Sequence, residues 1–170
     1  MILGQLIERA TGRSLERELE RRIIRPLGLR DTSYDEGPRV RGVAPGYADG
    51  QDFTVQNTSW AGASGALVST VHDLARFYRA LLTGRLLEPA QLQAMKTRDP
   101  VAGDYGLGLF TVTTPCGRPW GHNGMVPGYF AQAYSSEDGR RQVAVLVNRQ
   151  PLSARQQAAV DRALVEAYCA

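Results

Sequence analysis

Lysine is almost missing from this 170-residue chain: of its 20 basic residues only Lys96 is a lysine, the others being arginines. The arginines alternate with acids, as in ERATGRSLERELERRIIR, and the net charge is only +3. Interleaved charge of this kind solvates a helix face and builds no phosphate-tracking stripe, which argues against nucleic acid as a partner. Long apolar runs are missing as well; none approaches the roughly 20 residues that cross a bilayer, so no integral membrane segment is expected. The opening MILGQLIERATG has no basic n-region and meets Glu8 too early for a signal peptide. Histidine is limited to His72 and His122, with no His-x-His or His-x-x-x-His spacing, so neither a metal site nor a cofactor is expected. Cysteine is limited to Cys116 and Cys169, far apart and outside any Cys-x-x-Cys, a pattern that suggests neither a metal knuckle nor a disulfide framework. The compartment stays open.

What is present suits one folded domain over residues 1–170. Hydrophobic residues make up 43% of the chain and charged ones 22%, and a chain this long can bury about two thirds of its unfolded surface. Residues 1–100 read as mainly helix and loop. Ile2, Leu3, Leu6, Ile7 and Ala10 recur at helical spacing, with no N-capping residue ahead of them, so this helix is expected to belong to a longer front end. Gly12 punctuates it, Ser14 can cap the next, and SLERELERRII predicts one amphipathic helix stopped by Pro26 and Gly28. From Asp31 to Gly65 the composition turns to Gly, Pro, Asp and Ser without a sustained period, an irregular stretch long enough to suggest a functional role or support from elsewhere. Thr70 with Asp73 resembles a capping box opening a helix whose buried stripe is Val71, Leu74, Tyr78 and Leu81, closed by Gly84. A short helix over PAQLQAMK follows, with Pro89 in its first turn.

Residues 101–170 change character. YGLGLFTV, RPWGHN, YFAQAYS and RQVAVLVN are short runs rich in aromatic and β-branched residues, and Asp138-Gly139 is the hairpin signal between the last two. The final run is apolar at both alternations, so both of its faces should be covered, one of them by a closing helix from about Ser153 to Tyr168. Helices first, then an antiparallel sheet with a terminal helix, make the fold class α+β.

The candidate chemistry centres on His122. It stands in WGHNGMVPGYF, with glycines at 121 and 124 that would let another molecule approach the strand closely. A ring hydrogen-bonded within the sheet explains the residue equally well. Ser-x-x-Lys, whose spacing brings an amine under a nucleophilic hydroxyl, cannot occur, because residue 93 is glutamine and Lys96 has no rival; Tyr-x-Asn and Ser-x-Asn are absent too. GASGA at 62–66 approaches a nucleophile elbow, and Ser64 with His122 would give an α/β-hydrolase order, but VQNTSWA ahead of it is polar and no βαβ alternation appears. A tight turn leading into the Thr70 helix is the simpler reading. His72, beside Asp73 in a first helical turn, reads as a surface residue.

ILGQLIERATGRSLERELERRIIRPLGLRDTSY, AGASGALVSTVHDLARFYRALLTGRLL, YGLGLF and GHNGMVPGY follow one another in an order and spacing that resemble the carboxy-terminal part of the serine β-lactamase-related proteins, from Ile2 to Asn148. That family includes class C β-lactamases, D-alanyl-D-alanine carboxypeptidases and esterases. The resemblance implies a partial β-lactamase/transpeptidase-like fold, helices followed by an antiparallel sheet of about 3–4 strands and a terminal helix. It implies that His122, Asn123 and Gly124 stand at the family's third motif, Lys/His-Thr/Ser-Gly, on a strand beside the active site. His122 would then place a polar or cationic group near a substrate carboxylate, Asn123 would hydrogen-bond substrate, and Gly124 would leave room for it. The backbone N–H of Met125 would be an oxyanion-hole donor. Asn123 departs from the usual Thr or Ser. The same resemblance implies that the Ser-x-x-Lys and Tyr-x-Asn motifs lie upstream of Met1, that a small-molecule, peptide or ester substrate is bound only when that segment completes the site, and that the sheet leaves an apolar face or edge exposed. A non-catalytic remnant or binding module is the alternative. Family members are often secreted or associated with the envelope.

Overall fold

A computed structural model describes residues 2–34, 43–98, 100–101 and 103–170, so residues 35–42 of the irregular stretch lie outside the described residues. The chain begins with α1 (Ile2–Thr11), ended by Gly12 at φ +67°, and continues with α2 (Leu15–Leu19), whose cap Ser14 accepts from the Arg17 N–H. SLERELERRII is not one regular helix. After α2 the backbone widens into a π turn over Glu20–Ile24 and tightens again in α3 (Arg25–Leu27), with Gly28 at φ +62° closing it. Pro26 is the reason: it has no N–H to give the preceding turn, and its ring crowds the carbonyl four residues back, which a π bulge relieves. Ile24, Leu27 and Leu29 still bury themselves, against Ala80.

Two small antiparallel ribbons tie the loops down. They are β1 (Ser33–Tyr34) with β4 (Leu67–Val68), and β2 (Tyr47–Ala48) with β3 (Gln51–Asp52). Then come α4 (Val71–Leu82), α5 (Pro89–Lys96) and a four-stranded antiparallel sheet in the order β5 (Phe110–Thr111), β6 (Trp120–Val126), β7 (Tyr129–Ser135), β8 (Gln142–Val147). The chain ends in α6 (Ala154–Cys169), capped by Ser153 as expected. Cross-strand pairing puts His122, Ala133 and Ala144 in one row, and α4 packs on that side through Tyr78, Leu81 and Leu82, with Trp120 and Leu109 filling the layer. Tyr134 and Val143 form the opposite face and meet Leu164 and Tyr168 of α6. The final strand thus meets a helix on each side, as its apolar pattern requires, although Leu146 near its end stays 45% exposed.

Four expectations change. Only Phe110 and Thr111 of YGLGLFTV are strand; Gly106 and Gly108 bend the rest, and Gly106 lies so close to the Met95 carbonyl that a side-chain carbon has no room. Thr70 caps α4 by accepting from the Asp73 N–H at 3.3 Å, but Asp73 does not return the bond of a capping box. Its buried carboxylate accepts instead from the Asp31 N–H at 2.9 Å and the Thr32 hydroxyl at 2.8 Å, fastening the loop after α3 to α4. The cysteines, read as unpaired from their separation, form a Cys116–Cys169 disulfide across 53 residues, with Cα atoms 5.5 Å apart. Sequence distance misled because α6 runs back along the sheet and brings its last turn to the loop before β6. Finally, the helical periodicity of α1 does not correspond to burial: Ile2, Leu3 and Leu6 are 82%, 71% and 60% exposed, and only Gly4 is buried, against Ala63. The apolar exposure expected of the sheet is limited to Met125 and Leu146, and a larger apolar face is that of α1.

Glu18 is the main buried charge of the helical half. Its carboxylate accepts from Arg21 at 3.0 Å and pairs with Arg22 and Arg13. Hydrogen bonds from Arg21 and then Arg22 hold it at about 2, below its ordinary 4.5, against the opposing effect of desolvation. A lowered folded-state value stabilises the fold above the unfolded value, and that contribution disappears as pH falls from about 4.5 to about 2. Wild type should therefore lose urea resistance across this window while Glu18→Gln, weaker at neutral pH, loses less; parallel pH profiles would refute the assignment. Replacing both cysteines by serine should cost about 4 kcal/mol, the loop-closure value for 53 residues, and an unchanged urea midpoint would show that the bond does not form in solution.

Candidate functional site

Strand β6 carries His122, Asn123, Gly124 and Met125, and its surroundings change along its length. At its start, β5 pairs with Trp120 and Gly121; beyond Gly121 no described strand lies on that side. On the other side β7 pairs with the whole of β6, from Trp120 opposite Ser135 to Val126 opposite Tyr129. The direction of the backbone groups follows from one bond. Val112 N–H donates to the Pro119 carbonyl at 3.4 Å, so Pro119 faces β5. Antiparallel alternation then turns the N–H and carbonyl of Gly121, Asn123 and Met125 to that same side, and those of His122 and Gly124 toward β7. Asn123 and Met125 therefore direct their backbone polar groups to an open edge.

Side chains agree with this picture. Asn123 is exposed, Met125 is 69% exposed, and Gly124 has only the Ala131 side chain, 3.8 Å from where its own Cβ would be. His122 is half-buried and lies along the edge. Its Nδ1 donates to the Asn123 carbonyl at 2.5 Å, and its Nε2 is 2.7 Å from the Tyr105 hydroxyl. A carbonyl can only accept, so the neutral ring carries its proton on Nδ1 and Nε2 accepts from Tyr105. Three more rings complete the setting: His122 meets Tyr105 and Phe110 edge-on at 5.6 and 5.3 Å, Tyr105 stacks on Phe110 at 6.1 Å, and Phe110 meets Tyr134 edge-on at 5.6 Å. Burial raises the Tyr134 phenol above its ordinary range, which keeps it neutral behind this cluster. Beside Tyr105, Asp104 is held below the usual carboxylate range, chiefly by a hydrogen bond from Arg98 and further by Arg118.

The sequence had not singled out Tyr105 or Phe110. Both lie in YGLGLF, which reads as strand; the spaced glycines were the available signal that the segment folds back. Leu107 N–H donates to the Met95 carbonyl at 2.9 Å and Gly106 N–H to Leu109, and this clip against α5 delivers Tyr105 to His122.

The other nominated chemistry is not assembled. Ser64 sits in a 3₁₀ turn, Gly62–Ser64, and gives its hydroxyl proton to the Ala61 carbonyl, while both nitrogens of His122 are engaged elsewhere. The strand pairs are antiparallel, so the parallel sheet an α/β-hydrolase needs is not this fold. Lys96 pairs with Glu137 at 2.7 Å, and Glu137 also accepts from the Trp120 indole at 3.0 Å. His72 is exposed, as expected. Among the described residues no group of acids, histidines and cysteines could hold a metal ion, and no helix is long and apolar enough to cross a membrane.

The sequence profile of the family described as "Beta-lactamase" matches residues 1–167. A D-aminopeptidase of Brucella anthropi is 31% identical over 163 residues, which is 86% of this chain and 30% of that protein. Among solved structures, a D-stereospecific amidohydrolase from Streptomyces sp. superposes with a TM-score of 0.79 at 37% identity, covering 86% of this chain and 47% of the other. The D-amino acid amidase from Ochrobactrum anthropi SV3, complexed with D-phenylalanine, superposes with a TM-score of 0.80 at 28% identity over 96% and 58%. The chain thus spans about a third of the curated relative and about half of the solved structures.

The two glycines of β6 should respond oppositely to one added methyl. Gly124→Ala meets only ordinary contact and should change stability by less than about 0.5 kcal/mol. Gly121→Ala would drive a carbon into the Ala133 carbonyl and should cost several times more. Thermal unfolding of the two variants checks this, and equal melting temperatures would contradict the register given above.

Proposed function

Because the chain belongs to the beta-lactamase family, with a β-lactamase/transpeptidase-like α+β fold and hydrolases among its relatives, we propose that β6 is the substrate-binding strand of an acyl-enzyme serine amidohydrolase. The observation that carries this reading is the open edge of β6 after Gly121, where Asn123 and Met125 turn their backbone groups outward beside an unfilled Gly124. In the proposed reaction a serine hydroxyl attacks the substrate carbonyl, its proton passes to a neighbouring base, and the carbonyl oxygen becomes an anion. The Met125 N–H donates to that anion, a contribution of about 3 kcal/mol for one such donor. The tetrahedral intermediate then expels the amine as a protonated leaving group, and water releases the acid from the ester. Substrate lies antiparallel along the edge, bonded to the Asn123 carbonyl side, with the Asn123 side chain as a further contact.

The nucleophile and its base would come from a Ser-x-x-Lys segment outside these 170 residues, since no such spacing occurs within them. Amide bonds of D-amino acids are the favoured substrates, supported by relatives named as D-aminopeptidase and D-amino acid amidase. A second reading, a binding module without chemistry, draws support from the ion pair that commits the only lysine to Glu137.

The purified chain should take up no label from a fluorescent penicillin and release no nitrophenol from nitrophenyl esters; stoichiometric labelling would put a nucleophile inside it and end the proposal. Co-expression with a Ser-x-x-Lys-bearing upstream segment should restore labelling, and His122→Ala, which removes the ring bonded to the Asn123 carbonyl and so loosens the β6 edge, should then slow it about tenfold. Full labelling by that variant would remove His122 from the site.

A further inference from the structure

The notion that His122 itself meets substrate conflicts with its hydrogen bonds. Both ring nitrogens are already committed, Nδ1 to the Asn123 carbonyl and Nε2 to the Tyr105 hydroxyl. A substrate could reach the ring only by displacing one of them. Tyr105, by contrast, is 37% exposed, and its hydroxyl proton is directed at Nε2. Two consequences follow from the donor inventory of a phenol: with its proton spent on imidazole, Oη can offer only lone pairs to anything else. On a residue 37% exposed, it is therefore an acceptor.

We propose that Tyr105 is a positioning and specificity residue of this site: it fixes His122 in the Nδ1–H form and presents Oη, as an acceptor, to the free amine end of an amino-acid amide. This rests on the reading of β6 as the substrate strand. The surroundings support a donor-bearing substrate over a carboxylate-bearing one. The stacked rings of Tyr105 and Phe110 lie beside this hydroxyl, and their π density disfavours an anion there. Asp104, which adjoins Tyr105 in the chain, is engaged by both Arg98 and Arg118. Further back, Tyr134 is neutral. Tyr105 keeps its proton and shares it with Nε2 of His122, and the amine keeps its own protons and shares one with Oη, so no covalent bond is made or broken.

The test is solution NMR of the whole chain at about pH 8.5, above the usual histidine range. Long-range proton–nitrogen spectra should show His122 protonated on Nδ1 with Nε2 bare, and Tyr105→Phe, which keeps the ring and its stacking, should move the ring to a mixture of both tautomers. An Nε2–H wild type, or an unchanged variant, overturns the positioning role. Titration with D-phenylalanine amide should shift the Gly124 and Met125 amides and the Tyr105 ring, whereas N-acetyl-D-phenylalanine, which has a carboxylate and no amine, should shift them far less. At about pH 7, where the α-amine is charged, Tyr105→Phe should raise the half-saturation concentration of the amide about tenfold, the loss of one hydrogen bond to a charged group. Equal titrations of wild type and variant, or a preference for the carboxylate probe, refute the role of Tyr105 and leave β6 as the substrate strand. No shift on β6 with either probe, both in this chain and in the chain co-expressed with a Ser-x-x-Lys-bearing upstream segment, refutes the substrate-strand reading itself.

Discussion

At Gly121 the backbone of β6 is pressed against the Ala133 carbonyl so closely that no side chain fits, and the space above the missing side chain is taken by its two cross-strand neighbours. Phe110 pairs with Gly121 from β5 and Tyr134 pairs with it from β7, and their rings meet edge-on across the glycine. A β-carbon would part them. Phe110, held there, gives His122 an edge-on contact and Tyr105 a ring to stack on. The order is therefore covalent in origin: a glycine permits an aromatic pair, the pair orients an imidazole, and the imidazole with its own strand forms the edge of the site. This resembles the rescue of a strand glycine by aromatic neighbours, here used to build a polar site on an apolar footing.

Much of this was legible from residue patterns because local rules and tertiary packing agreed. Pro89 and the PAQLQAMK run gave α5 its limits, and Ser153 gave α6 its start. Asp138-Gly139 marked the turn between β7 and β8, where Gly139 takes φ +66°. His122 drew notice because two glycines around a titratable ring are wasteful in a core strand, whereas the parts given to Asn123, Gly124 and Met125 came only from the family resemblance. The misses have one kind of cause, a distant partner that changes what a residue does. Asp73 has the spacing of a capping box and serves Asp31 and Thr32 instead. YGLGLF has strand composition and is bent by its approach to Met95. Cys116 and Cys169 meet because of the course of α6, which no local spacing encodes.

The apolar stripe of α1 is a different case. Its periodicity is that of a buried helix, while Ile2, Leu3 and Leu6 stand in solvent. The comparisons match about half of each solved relative, so the partner surface such a stripe demands has room to exist in the longer proteins. A stripe of this kind is a hydrophobic liability when bare, worth roughly 25 cal/mol for each Å² once covered.

The disulfide gives the sheet a topology that its strand order does not convey. Cys116 precedes β6 and Cys169 ends α6, so β6, β7, β8 and α6 lie within one covalent ring, closed at the seam between first strand and last helix. A single cut in the exposed Ser136–Arg141 turn would open that ring without releasing a fragment. The candidate substrate strand and the helix that backs the sheet would stay on the same molecule, which makes this turn a natural place to introduce new chain ends while keeping the edge of β6 intact.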